Sequence, residues 1–188
     1  LFRAAQLGLH RIPGSLAVGT SFACTGFSAV CGSSPVTAAT IGAMAVPEMV
    51  RHGYDRRLAV GVTAAGGTLG ILIPPSIAMI LYGVITETSI GDLFIAGILP
   101  GILISALLSL TVLLLVIVRP QIAPRVQQTA SWSERLRALG AVIPVLILSF
   151  LVLGSIYFGV ATPTEAGAVG AAGALAIAAL SKKLNSNV

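Results

Sequence analysis

The sequence predicts an all-α integral membrane protein with a re-entrant helical hairpin, a discontinuous helix and further transmembrane helices. Three observations predict it. Of the 188 residues, 56% are hydrophobic and 9% are charged, and the mean hydropathy is +0.99. A soluble domain carries about 25% charged residues, so charge is too sparse here to cover a water-facing surface. Uncharged runs are long, at 12–47, 58–86, 93–118, 138–164 and 166–181. Two of these runs carry clusters of small, polar and helix-breaking residues near their middles, which a plain span does not need.

The first run does not fit one crossing. As a helix, 12–47 would be roughly 54 Å long at 1.5 Å per residue, against about 30 Å of hydrocarbon. Its centre reads "CGSSPVTAATIG" (31–42). Gly32 and Pro35 permit a turn, and Ser33, Ser34 and Thr37 supply hydroxyls. A turn at membrane depth leaves backbone groups unpaired, which is tolerated only inside protein or beside a wet cavity. The run is therefore read as a hairpin over 12–50 that enters and leaves on one side.

The second run, 58–86, contains "AAGGTLGILIPPSIAMILYG" (64–83). Proline inside a helix removes a hydrogen bond and clashes with the preceding turn. Gly66, Gly67, Thr68, Gly70, Pro74, Pro75 and Ser76 mark a break, with a first arm over about 58–68 and a second reaching about 86. Broken helices in transporters offer carbonyls and helix C-termini to cations, and helix N-termini to anions. A lone proline kink is usually structural. A Gly-Gly-x-x-Gly before Pro-Pro, beside a polar hairpin tip, favours a site.

The next run, 93–118, fits one tilted span, and 138–164 holds another. Ser105 and Ser149 lie in these spans with no further feature. Thr162, Pro163 and Glu165 have the spacing of a capping box, so the last helix starts there and crosses over 166–181. Its glycines and alanines, among them Gly167, Gly170 and Gly173, suit close helix packing. Between the spans, 119–137 is the one long polar linker. Trp132, Arg135 and Arg137 fit an interfacial helix in it.

Basic residues orient this map. With a hairpin at 12–50 and single crossings elsewhere, Arg3, Arg11, Arg51, Arg56, Arg57, Arg119, Arg125, Arg135, Arg137, Lys182 and Lys183 all fall on one side. That is every Lys and Arg in the chain, and the positive-inside rule makes that side cytoplasmic. The opposite loops carry only Glu87, Asp92 and Glu165. The net charge of +5 is thus a topology signal rather than a nucleic-acid patch. Glu48 and Asp55 sit beside arginines at the basic boundary and are read as loop pairing. His10 and His52 each lie next to or near an arginine in a loop, where a proton relay is unlikely chemistry. Cys24 and Cys31 share a helix face without histidines to complete a metal site, and are read as packing residues.

The segment "CGSSPVTAATIGAMAVPEMVRHGYDRRLAVGVTAAGGTLGILIPPSIAMILYGVITETSIGDLFIAGILPG" (31–101) resembles the large membrane subunit of tripartite ATP-independent periplasmic (TRAP) transporters, in its dicarboxylate-type branch. "GVATPTEAGAV" (159–169) is similar to a motif of the family's second half. The resemblance runs over most of 20–170. It implies an elevator of two inverted repeats in the bacterial inner membrane, driven by sodium as coupling ion, with no other cofactor. It also implies a soluble periplasmic binding protein that delivers a small carboxylate, and a small membrane subunit that extends the scaffold. On it, 1–118 is the end of the first repeat (hairpin 12–50, broken helix 58–86, span 91–118), 119–137 the cytoplasmic linker, and 138–188 the start of the second. Tip residues Gly32, Ser33, Ser34 and Thr37, with break residues Gly66, Gly67, Thr68, Gly70, Pro74, Pro75 and Ser76, then form one sodium site and one wall of the substrate site. Family subunits are about twice this length, so the chain is expected to be a piece of a larger permease. No signal peptide is visible at its start.

Other function classes are weaker. A membrane serine hydrolase at "GFSA" or "GSS" needs a base within reach, and both histidines fall outside the predicted spans. A channel also uses backbone carbonyls, but it would not couple ions to substrate in a fixed ratio. A purely structural subunit does not explain buried polar tips, which cost stability. No positive residue lies in the predicted membrane segments. A bound anion would therefore be held by helix N-termini, hydroxyls and amides.

The topology makes a direct prediction. In the full-length protein, cysteines introduced at Arg11 and Arg51 both label from the cytoplasm, and one at Glu87 labels from the periplasm. Labelling of positions 11 and 51 from opposite sides would rule out the hairpin.

Overall fold

The computed structural model describes residues 14–124, 140 and 143–180. Arg3, His10, Arg11, Arg125, Trp132, Arg135, Arg137, Lys182 and Lys183 lie outside the described residues, as does most of the linker. The chain divides between Leu139 and Gly140 into two compact units, each described by itself. All regular structure among the described residues is helical.

The first unit opens with α1 (Ser15–Cys31) and α2 (Ser34–Arg51). Only Gly32 and Ser33 join them. Gly32 takes φ +63°, the left-handed region that glycine enters without a Cβ penalty. Its N–H donates to the Ser28 carbonyl at 3.0 Å and closes the last turn of α1. Pro35 sits in the first turn of α2, where its missing N–H has no helical partner to lose. The two arms pack on each other. They hold 17 and 18 residues, about 26 and 27 Å each. Pro47 lies within α2 without ending it.

Next, α3 (Arg56–Gly67) begins two residues before the uncharged run. The Asp55 carboxylate accepts the Arg57 backbone N–H at 2.6 Å and caps the helix. Asp55 is thus a helix cap, which corrects the expectation of loop pairing with the arginines. Glu48 likewise meets no arginine among the described residues. Its carboxylate stands 3.6 Å from His52 Nδ1, one turn along α2. After α3 come a 3-10 turn, Thr68–Ile71, and an irregular stretch that includes a cis Pro74–Pro75 bond. Then α4 (Ile77–Thr86) resumes. The first arm, expected to reach about 68, ends at Gly67, and the break occupies 68–76.

The longest helix is α5 (Ile90–Val118), 29 residues or about 44 Å. Ser89 caps it, accepting the Asp92 N–H at 3.3 Å. Among the described residues it is the one helix long and apolar enough to cross a bilayer. Pro100 lies within it. A short 3-10 turn, Pro120–Ile122, follows.

Helix α1 is the centre of this unit, packing against α2, α3, α5 and the 68–71 turn. At its N-terminal end, Leu16 and Val18 join Met49, Leu58, Val112 and Val116 in an apolar cluster. Further along, Ala23 and buried Cys24 meet Ile41 and Ala45. Cys24 is a packing residue. Between α1 and α5 run two hydroxyl pairs one turn apart: Ser21 Oγ to Ser109 Oγ at 2.9 Å, and Thr25 Oγ1 to Ser105 Oγ at 2.6 Å. Ser105 is therefore no featureless span position, as the sequence suggested, but a buried tie between helices.

In the second unit, α6 (Ile143–Tyr157) and α7 (Pro163–Leu180) pack on each other. A Cβ on Gly170 would meet Val152 at 3.0 Å, and one on Gly173 would meet Leu148 at 2.6 Å. These small residues set the approach of the two helices, whereas Gly167 faces nothing within 4 Å. The capping box is present. Glu165 Oε2 accepts the Thr162 N–H at 2.8 Å and the Thr162 hydroxyl at 2.8 Å, and Thr162 Oγ1 accepts the Glu165 N–H at 3.4 Å. The Thr162 N–H, then its hydroxyl, hold the exposed Glu165 carboxyl below the usual carboxylate range.

The hydroxyl pairs are tested by a double-mutant cycle at Ser21 and Ser109. Either serine changed to alanine leaves its buried partner unpaired and lowers stability by about 1 kcal/mol. The double variant loses less than the sum of the two. Additive losses in thermal unfolding would show that the pair carries no coupling.

Candidate functional site

Eleven residues were singled out at the tip and the break, and the fold brings the two groups against each other. The Ile77 N–H, at the start of α4, donates to the Gly32 carbonyl at 3.2 Å. Ser34 Oγ donates to the Thr68 carbonyl at 3.3 Å. A Cβ on Gly32 would run into the Pro75 carbonyl oxygen. One on Gly70 would lie 2.6 Å from the Ser33 carbonyl carbon, and one on Gly67 would lie 2.7 Å from Ala38 Cβ. One on Gly66 would stand 2.7 Å from Cys24 Sγ, inside α1. The glycines of the break therefore let its backbone lie directly on the hairpin. Gly67 and Gly66 are helical residues, so their contribution is close approach rather than an unwound conformation.

Several of these side chains serve the break itself. Ser76 Oγ donates to the Ile71 carbonyl at 2.8 Å and accepts the Met79 N–H at 3.4 Å, capping α4. Thr68 Oγ1 donates to the Ala65 carbonyl at 2.7 Å. Pro74 and Ser76 are buried, while Pro75, Ser33 and Ser34 are half-buried and Thr68 is exposed.

Thr37 is different. It is fully buried, and its hydroxyl has no hydrogen-bond partner among the described residues. Ser28, which sequence reasoning did not select, is in the same state. The two lie on opposite arms, each one helical turn from the Gly32–Ser33 junction. Other buried threonines in this unit are satisfied by the carbonyl one turn back, as Thr20 is by Leu16 at 2.7 Å and Thr63 by Ala59 at 2.8 Å. An unpaired buried hydroxyl costs about 1–3 kcal/mol. The signal for Ser28 was present as a hydroxyl four residues before the turn glycine.

Four helix ends meet here. The C-termini of α1 and α3 bring partial negative charge, and the N-termini of α2 and α4 bring partial positive charge. Ser33, the N-cap of α2, makes no side-chain capping bond, so that N-terminus keeps free donors. No charged side chain occurs in 32–37 or 66–76. Chemically, such a site offers hard oxygen ligands and oriented dipoles. It offers no nucleophile–base pair.

The model of the family described as "Tripartite ATP-independent periplasmic transporter, DctM component" matches residues 1–187. The C4-dicarboxylate TRAP transporter large permease protein DctM of Pseudomonas aeruginosa is 44% identical over 168 residues, covering 89% of this chain and 38% of that protein. The ectoine TRAP transporter large permease protein TeaC of Halomonas elongata is 40% identical over 160 residues, covering 85% and 37%. The isethionate TRAP transporter permease protein DctMQ of Oleidesulfovibrio alaskensis is 35% identical over 180 residues, covering 91% and 27%. The chain thus spans less than two fifths of the length of these relatives.

Proposed function

The chain belongs to the DctM component family of tripartite ATP-independent periplasmic transporters, and from that premise we propose that it supplies the first-repeat half of the ion and substrate site of a sodium-coupled organic-acid importer. It is a transporter permease segment, not an enzyme. The observation that carries the proposal is the pair of orphaned, fully buried hydroxyls, Ser28 and Thr37, on the two arms of the hairpin. Tyr54 carries a third unpaired buried hydroxyl, but it lies in the apolar cluster with Leu16 and Met49; Ser28 and Thr37 are the two beside the tip, where a bound ion would supply the missing partner. With carbonyls and two helix C-termini close by, that ion is a small hard cation. The uncapped N-terminus of α2 provides the opposite polarity for a carboxylate. The substrate class follows the C4-dicarboxylate name of the Pseudomonas relative.

In this reading the protein is a multi-pass component of the bacterial inner membrane with its basic loops cytoplasmic. It works with a small membrane subunit and a periplasmic binding protein that delivers the substrate. The hairpin is re-entrant, and with the broken helix it moves as one elevator body. The two hydroxyl pairs that bind α5 to α1 extend that body to include α5.

Sodium binding is tested with Thr37→Val in the full-length protein and its partner subunits. Valine removes the oxygen and also the cost of burying it unpaired. The sodium-free melting temperature is retained or raised, and the rise at a given sodium concentration is reduced. Half-saturating sodium for uptake increases about tenfold, as for a lost contact to a charged group. An unchanged sodium response in this variant and in Ser28→Ala would remove both hydroxyls from the site.

The moving-body assignment has its own test. A disulfide between Thr25→Cys and Ser105→Cys joins two parts of one body, so uptake continues after complete oxidation. Arrest of uptake that reduction reverses would place α5 outside the body.

A further inference from the structure

A groove of about 380 Å³ lies between α3 and α5, away from the tip and close to the basic ends of both helices. Its walls are apolar: Leu58 and Val62 from α3 face Leu108, Val112 and Leu115 from α5. At one end stand Arg57 and Arg119. A shallower hollow shares Arg57 and Gly61 and adds Arg56. Three guanidiniums therefore surround this end against one carboxylate, Asp55. That carboxylate is engaged with the Arg57 backbone N–H at 2.6 Å. None of the three arginines is ion-paired among the described residues.

We propose that this groove is a binding site for an anionic phospholipid, with the phosphate headgroup on Arg56, Arg57 and Arg119 and an acyl chain along the α3–α5 wall. Each half of the groove asks for one half of such a molecule. A soluble anion would pair with the guanidiniums and leave the apolar walls against water. A neutral lipid would fill the walls and leave the cationic end unpaired. Basic pockets between membrane helices on the cytoplasmic side are suited to anionic headgroups, and guanidinium binds phosphate through paired donors. One wall is α5, the helix of bilayer-crossing length, so the acyl chain would run alongside a helix that faces lipid. Gly61 borders the open space of the groove, since a Cβ there meets nothing within 4 Å. The inference uses the membrane setting proposed above but neither the sodium nor the substrate reading, so lipid retention and uptake fail independently.

The test uses the full-length permease with its membrane partner, purified in detergent and titrated with phosphatidylglycerol, phosphatidylcholine or inorganic phosphate. Retained lipid is counted by native mass spectrometry. Wild-type protein retains phosphatidylglycerol in preference to phosphatidylcholine. Arg57→Gln and Arg119→Gln each weaken phosphatidylglycerol about fivefold, and together about 25-fold, with phosphatidylcholine unchanged. Gly61→Phe, which fills the apolar part and keeps every charge, weakens it as well. Equal retention by wild type and Gly61→Phe would overturn the site even if the double arginine variant failed to express. So would competition by millimolar inorganic phosphate as effective as that by lipid, because the source would then be a soluble anion. Absence of any headgroup preference in the wild type would mean that another segment of the longer protein fills the groove.

Discussion

The backbone of a two-residue turn lies directly on the backbone of a broken helix, and most of the first unit follows from that contact. Gly32 against Pro75 and Gly70 against Ser33 leave no room for a Cβ on either side. Two interrupted helices that meet this closely satisfy part of each other's hydrogen bonding. The Gly32 carbonyl, left over at the end of α1, accepts the N–H of Ile77 at the start of α4. The cost of burying irregular backbone is thereby shared between two elements that would each be unstable alone. The same contact fixes where α3 and α4 emerge, and so where α5 must run. Gly97 and Gly101 of α5 complete the arrangement by admitting the Leu72 carbonyl and Ile73 from the break, with a Cβ at Gly97 3.0 Å from that carbonyl.

Burial of α1 imposes a second condition. A helix surrounded by α2, α3, α5 and the break has no polar face to give to water, yet it carries Ser15, Thr20, Ser21, Thr25 and Ser28. Threonine hydroxyls in a helix fold back onto the carbonyl one turn earlier, and Thr20 and Thr25 both do so. Ser21 and Thr25 also find Ser109 and Ser105 on α5. Three buried hydroxyls lack a partner among the described residues: Tyr54 in the apolar cluster, and Ser28 and Thr37 on the two arms of the hairpin beside the tip.

Much of this was legible from residue type and order. A turn glycine followed by two serines, and a double proline after spaced glycines, are local signals, and the turn at Gly32–Ser33 and the break over 68–76 fall where those residues stand. The capping box at Thr162 and Glu165 is equally local. What was not legible depends on partners distant in sequence. Ser105 reads as an isolated serine in an apolar span until Thr25, 80 residues away, is placed beside it. Asp55 next to two arginines suggests ion pairing, but a free helix N-terminus two residues on is a nearer donor. Gly66 and Gly67 suggest unwinding, because glycine weakens a helix. Their neighbours Cys24 and Ala38 show them to be clearance for another helix instead. Among the site residues, sequence could identify Thr37 as a hydroxyl near a turn. It could not show that Thr37 is unpaired, since satisfaction is a property of the packed unit.

The two ends of the unit solve opposite electrostatic problems. The described arginines, Arg51, Arg56, Arg57 and Arg119, stay at the end where Leu16, Met49, Leu58 and Val116 form the apolar cluster. The tip and the break, 32–37 and 66–76, hold no ionised side chain. A fixed charge buried there would cost several kcal/mol unless paired, and it would bind one sign of ligand permanently. Helix ends contribute about 0.3–1 kcal/mol each near a surface and up to about 2 when partly buried. Four of them, two of each sign, give moderate and opposed potentials within one small region. On the reading proposed above, such a region accepts a cation and an anion together and releases both. In the importer proposed above, which must let go of what it binds, dipoles and neutral oxygens would serve better than charges, and the tip is accordingly rich in glycine, serine and threonine in a chain dominated by apolar residues.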